Sequence, residues 1–183
     1  MNNDQKERKA FVAGMLLGTF ALSFGCGGSG ADGLTATDSV TGVVQNRAFK
    51  GKAGAFDQMT DLSLLIAVAE SDGICQVASS GVAPATELVW LSLYVCTDSA
   101  DAVGEYPIQP GGGGGSPCPG RVAWAEVRRL LGGTASLIPA DSGMVTIRTR
   151  TDQNLAGTAA LAFGGDSLAG SFSASFCADL NKP

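Results

Sequence analysis

Five cysteines and no histidine set the chemistry open to this 183-residue chain. A thiol can be acylated, oxidised to a disulfide, or used as a nucleophile or metal ligand. The absence of histidine rules out Ser-His-Asp and Cys-His machinery and removes the commonest metal ligand. No two cysteines are spaced C-x-x-C, so a zinc site and a thioredoxin-like redox pair both lack support. Position sets Cys26 apart from the others, at the end of an apolar run opening onto glycine. Without it an even set remains, Cys75, Cys96, Cys118 and Cys177, and an even set in an exported chain implies bridges.

Carboxylates are the next candidates. The stretch TDSADAVGE holds Asp98, Asp101 and Glu105, with Glu70 and Asp72 as possible neighbours. Several such oxygens suit calcium, but the spacing is not that of an EF-hand, and a solvated acidic loop is the simpler reading. Two carboxylates can hydrolyse a glycosidic bond if the fold brings them together. No pair stands out here, and no G-x-S-x-G elbow is present. QPGGGGGSPCPG, residues 109–120, lacks the Gly-Lys-Ser/Thr ending of a P-loop and reads as a surface loop stapled at Cys118. Trp90, Tyr94, Tyr106 and Trp124 fit a ligand cleft or, more commonly, a core. The sequence therefore assigns no catalytic residue and no metal site, and the expectation is that the chain is not an enzyme.

The elements that must position these residues begin with residues 1–25. Lys6, Arg8 and Lys9 precede an apolar run over 10–22, and small residues Ser23 and Gly25 lead to Cys26. A basic start, a short apolar core and a small-residue exit describe an export signal. The run falls short of the roughly 20 residues of a bilayer-spanning helix. Residues 26–39 begin CGGSGADGLTATDS, with Leu34 as the one large apolar side chain, and read as a flexible tether. Three of the 12 basic and two of the 17 acidic residues lie before Cys26, which leaves nine against 15, or net −6. Such a chain has no basic stripe to hold nucleic acid and no electrostatic attraction to anionic lipid.

Residues 40–183 read as a single β domain, long enough to bury a sizeable core. Over 40–49 the pattern is a hairpin turning at Gln45-Asn46. The runs LSLLIAV (62–68) and LVWLSLYV (88–95) are apolar on both parities, as in strands covered on both faces. MVTIRTR (144–150) alternates, with Val145 and Ile147 facing in. LAGTAALAF and LAGSFSASF flank a Gly-Gly-Asp turn, with Leu155, Leu161, Phe163, Leu168, Phe172 and Phe176 on the inward parities. Residues 121–131 suit a strand slightly better than the single helix. The expected fold is mainly β, an antiparallel β-sandwich or barrel-like domain with at most one short helix.

The approach to Cys26 resembles the bacterial lipoprotein signal, in which small residues lead directly to a cysteine. Gly25 matches the residue before the cut, although Ser23 stands where leucine is usual. This resemblance implies cleavage before Cys26, a diacylglyceryl group on its thiol and an acyl chain on its new amino group. It implies no other cofactor. Two or more acyl chains give stable anchoring, whereas one is marginal. The body is similar to small lipoproteins of myxobacteria and related delta-proteobacteria. The matching stretches are Val40-Thr41-Gly42-Val43-Val44 leading to Phe49, Gly104-Glu105-Tyr106, and residues 168–177 ending in Cys177. That likeness implies a β-sandwich-like domain and no particular activity. In many such proteins a residue other than Asp after the cysteine accompanies outer-membrane sorting, and Gly27 fits that pattern.

Four cysteines allow three pairings, and spacing does not choose among them. The expectation is Cys96–Cys118, pinning the glycine-rich excursion, with Cys75–Cys177 drawn partly from the resemblance. The alternative is two or more free, buried thiols. The functional expectation is a lipid-anchored envelope protein at the outer membrane, on its periplasmic or surface face. It would be a structural or binding module with an envelope protein or polysaccharide as partner. The alternatives are an envelope-polymer hydrolase using paired carboxylates and a barrel carrying an apolar ligand.

Overall fold

The computed structural model describes residues 39–80, 86–111 and 118–181. The signal segment, Cys26 and nearly all of the tether lie outside these residues, as does the centre of the glycine-rich loop. The described chain is mainly β. It forms β1 (Val40–Val44), β2 (Arg47–Gly51), β3 (Ala53–Thr60), β4 (Ser63–Ala69), α1 (Ile74–Ser80) and β5 (Leu88–Cys96). There follow β6 (Gly104–Pro107), β7 (Val122–Leu131), β8 (Thr134–Pro139), β9 (Ser142–Arg150), β10 (Asn154–Phe163) and β11 (Asp166–Phe176).

All eleven strands belong to one curled sheet, ordered β6-β9-β10-β11-β3-β4-β5-β7-β8, with β1 on β11 and β2 on β1. Neighbours pair antiparallel except at the β11–β3 seam, which is parallel and short: Ser175↔Ala55 and Phe176↔Phe56. The sheet is a mixed half-barrel that turns back towards itself. Ile108, just past β6, forms a parallel bridge with Ala123 of β7, and the Gln109 N–H donates to the Ala123 carbonyl at 2.9 Å.

Two bends produce the curl. Between β8 and β9 the Ala140 N–H donates to Ala125 of β7, and the next N–H, Asp141, donates to Ala162 of β10, each at 2.8 Å. The chain thus changes partners within one residue, as strands do at the corners of orthogonally packed sheets. The second bend lies at Lys52, between β2 and β3, where the Lys52 N–H donates to Ala69 at 2.8 Å.

Turn chemistry sets the registers. Gln45 and Asn46 adopt φ of 51° and 61° between the paired residues Val44 and Arg47. Positive φ at both positions is the type I′ pattern, whose twist matches the flanking strands. Gly132 and Gly133 do the same between β7 and β8, at φ of 56° and 81°. The C-terminal hairpin turns on Gly164-Gly165 alone, since Phe163 already pairs with Asp166.

Inside the curl, Phe56, Ile66, Leu93, Tyr106, Ile147 and Phe172 anchor one large core. Val145 and Ile147 face in as their alternation requires, and residues 122–131 are a strand. β4 is buried on both faces. Leu64, Ile66 and Val68 point inward, while Ala67 and Ala69 meet a second cluster containing Ile74, Leu88 and Cys177. Alanines on that outer face let α1 approach closely.

One burial expectation fails at the end of an inward row. Phe176 is 40% exposed, because the inward row ends at Ala174. Its ring instead meets Phe56 edge-on, with centroids 5.7 Å apart. Nor did the sequence pattern place α1. Seven residues are too few for a stable isolated helix, so tertiary contacts decide it.

Both bridges join as expected, Cys75–Cys177 and Cys96–Cys118, with Cα–Cα distances of 5.8 and 5.4 Å. The first ties α1 to the end of β11, and the second ties the end of β5 to the residues before β7. On the chain-entropy model, separations of 102 and 22 residues contribute about 5 and about 3 kcal/mol. Serine at both Cys75 and Cys177 is expected to lower the melting temperature by roughly 10 °C or more. The Cys96/Cys118 double variant should lose less. Thermal melts of both variants check the order.

Candidate functional site

The carboxylates considered for calcium go to separate places. Glu70 faces Arg47, whose Nη2 donates to it at 2.9 Å and to Glu87 at 3.3 Å. Glu70 also accepts the Lys50 N–H at 3.2 Å. Asp98 accepts from Arg121 Nε at 3.1 Å, and Asp101 accepts from Ser99 Oγ at 2.6 Å. Glu70 and Asp98 therefore serve two different arginines and do not form one site.

Arg121 and Tyr106 organise the loop between β5 and β6. Tyr106 is fully buried, and its hydroxyl donates to the Ala102 carbonyl at 2.5 Å. A tyrosine reaching back four residues to the main chain resembles the corner device of β-sandwiches. Ala102, held at φ 54°, is itself fully buried. The Arg121 guanidinium lies 5.2 Å from the Tyr106 ring centre, and its Nη1 donates to the Val103 carbonyl at 3.2 Å. Gly104 leaves the room this requires, since a Cβ there would overlap the guanidinium. Tyr106 is thus a core residue and does not line a cleft.

The other three aromatics share the outer face of β5 and β7. Tyr94 is paired with Trp124, ring centroids 5.7 Å apart and tilted by 53°. Trp90 is opposite Arg128, and Ser92 is opposite Glu126. Alternate residues on a strand face the same way, so Trp90 and Tyr94 stand about 13 Å apart along β5. Between them lies an ion pair, with Arg128 Nε donating to Glu126 Oε1 at 2.5 Å. Leu137 of β8, opposite Arg128, is 54% exposed and extends the row. Trp90 leans on the cluster beneath α1, whereas Tyr94 and Trp124 are half-buried outside both hydrophobic clusters. Sequence reasoning named these aromatics, but Glu126, Arg128 and Leu137 joined them only through strand register.

The arrangement can stack rings against a flat apolar surface and offer charged hydrogen-bonding groups beside them. Each of Cys75, Cys96, Cys118 and Cys177 is engaged in a bridge, so none is a free nucleophile.

The hydrogen bond from Arg121 holds the Asp98 carboxyl below its ordinary value, against a smaller opposing effect of burial. Burial pushes the Tyr106 hydroxyl above its usual range, with Arg121 opposing. A depressed carboxylate contributes stability above its unfolded pKa, about 3.9, and loses that contribution as pH falls through the folded value. The Asp98 carboxyl is therefore expected to titrate below its peptide value by NMR, and Arg121→Gln should raise it towards normal. Tyr106→Phe, which orphans the Ala102 carbonyl, should cost about 1 kcal/mol in denaturant unfolding. The chain matches no protein-family model, no curated protein and no solved structure.

Proposed function

We propose that this chain is an exported, lipid-anchored binding module of a bacterial cell envelope, held at the outer membrane by acyl groups on Cys26. The observation that carries the reading is the cysteine pairing. All four cysteines after Cys26 are joined in two bridges, which leaves Cys26 as the odd one at the end of a lipoprotein-like signal. Bridges of this kind persist in oxidising, extracytoplasmic spaces.

The binding role rests on the distribution of apolar surface. Among the described residues, large side chains such as Phe56, Tyr106 and Phe172 pack inside the curled sheet. That packing favours docking on the outside over carriage of an apolar ligand within. Three half-buried rings gathered on one outer face are the feature that supports this reading. Tyr94, Trp124 and Trp90, flanking Glu126 and Arg128, are the residues through which an envelope polysaccharide or protein would be held.

Mass spectrometry of the N-terminal peptide from the natural host should find Cys26 first in the chain and carrying two or three acyl groups. Cys26→Ala should move the protein from the membrane to the soluble fraction. A natural product that keeps Met1 and stays soluble would overturn the anchoring. For the binding face, Trp124→Ala with Tyr94→Ala is expected to weaken co-sedimentation with envelope polymer about tenfold or more, without unfolding the domain. Unchanged sedimentation would remove that face from the proposal.

A further inference from the structure

A cavity of about 300 Å³ opens at the parallel seam between β11 and β3, away from the Tyr94–Trp124 face. It is lined by Lys52, Gly54, Asn154, Ser173 and Ser175, together with two alanines. The notch has a structural cause. β11 pairs with β1 as far as Gly170 and takes up β3 only at Ser175. Over 171–174 neither strand is in register with that edge. The gap is pinched at one point, where Gly54 lies against the Ser173 carbonyl. A Cβ on Gly54 would come within 2.1 Å of that oxygen, so only glycine permits this approach.

The lining has a definite chemical character. It contains one cation, one amide, two hydroxyls and no acid. The main chain of Lys52 is fixed by its bond to Ala69, while its side chain is exposed. Among the described residues Lys52 forms no ion pair, as is also true of Lys50, Arg129, Arg148 and Arg150, and it is the one cation that lines the notch. An unpaired ammonium beside a cavity, in a chain of net charge −5, makes a local site for an anion. The apolar walls are no larger than alanine, so affinity must come from hydrogen bonds and charge. The notch is open to solvent on one side, and its volume, at the lower end of the roughly 300–1,000 Å³ of ligand pockets, suits one small ring held along an edge.

We propose that this notch binds a hydroxy-carboxylate the size of a single uronic acid. Lys52 takes the carboxylate, and Asn154, Ser173 and Ser175 take the hydroxyls. The ligand can be a free hydroxy acid or the end of an acidic glycan, since both present the same groups. The site depends neither on the lipid anchor nor on the aromatic face.

Isothermal titration of the full chain with D-glucuronate, D-glucose and a uronic-acid trimer tests the proposal. Glucuronate should bind saturably, and glucose about tenfold more weakly or not at all. Lys52→Gln should lose about tenfold in glucuronate affinity, and Lys52→Arg should keep most of it. Lys52 is exposed, so both variants should melt like the parent. A trimer that binds more tightly than the monomer identifies a glycan end, and equal binding identifies a free hydroxy acid. Either result upholds the site. No saturable glucuronate binding at tens of millimolar, equal binding of glucose, or unchanged affinity in Lys52→Gln would overturn it.

Discussion

A single sheet can bury a core only by curling over it, and here the curl depends on strands that change partners without breaking. The consecutive N–H groups of Ala140 and Asp141 donate to β7 and to β10. Both of these donors keep an acceptor while the chain turns from one side of the barrel to the other. An unsatisfied amide there would offset much of what burying Val145, Ile147 and their neighbours contributes. The bend at Lys52 does the same for the strand that leads from β1 to β4. Large apolar side chains on one face and bends whose backbone donors at Lys52, Ala140 and Asp141 keep acceptors therefore form one solution to one constraint.

The outer face is treated unevenly, and that unevenness carries the functional argument. Over β3, β4 and the start of β5, alanines admit α1, and the Cys75–Cys177 bridge clamps it. Further along β5 and β7 the outer side chains become Tyr94, Trp124 and the Glu126–Arg128 pair, half-buried with no layer described above them. The seam between β11 and β3 differs again, with small and polar walls around one lysine. One sheet thus presents a clamped patch, an aromatic patch and a cationic notch, each produced by its local side-chain sizes.

The legible parts of the fold were those where a few adjacent residues suffice. Gln45-Asn46 and Gly164-Gly165 identified hairpins because their φ requirements are local. The runs at 62–68 and 88–95 showed double coverage because both parities are apolar. Less was legible where distant partners decide. α1 is too short to announce itself, and it exists because Ile74 and Cys75 are held against β3, β4 and Cys177. Phe176 keeps the inward parity but lies beyond the end of the lumen, a boundary no alternation pattern reports. Of the outer aromatic face, the rings were visible in the sequence, while Glu126, Arg128 and Leu137 were hidden in register.

The sequence by itself determined the strand content, the hairpin turns, the lack of histidine chemistry and the even set of cysteines behind Cys26, because composition and nearest-neighbour geometry settle these. Only the tertiary structure decided that Asp98 and Glu70 answer to different arginines. It also placed Tyr106 in the core with Trp124 outside it, and opened a notch beside Lys52. Those outcomes depend on which strands meet, and strand pairing is set by burial summed over the whole sheet, which no short window of residues contains.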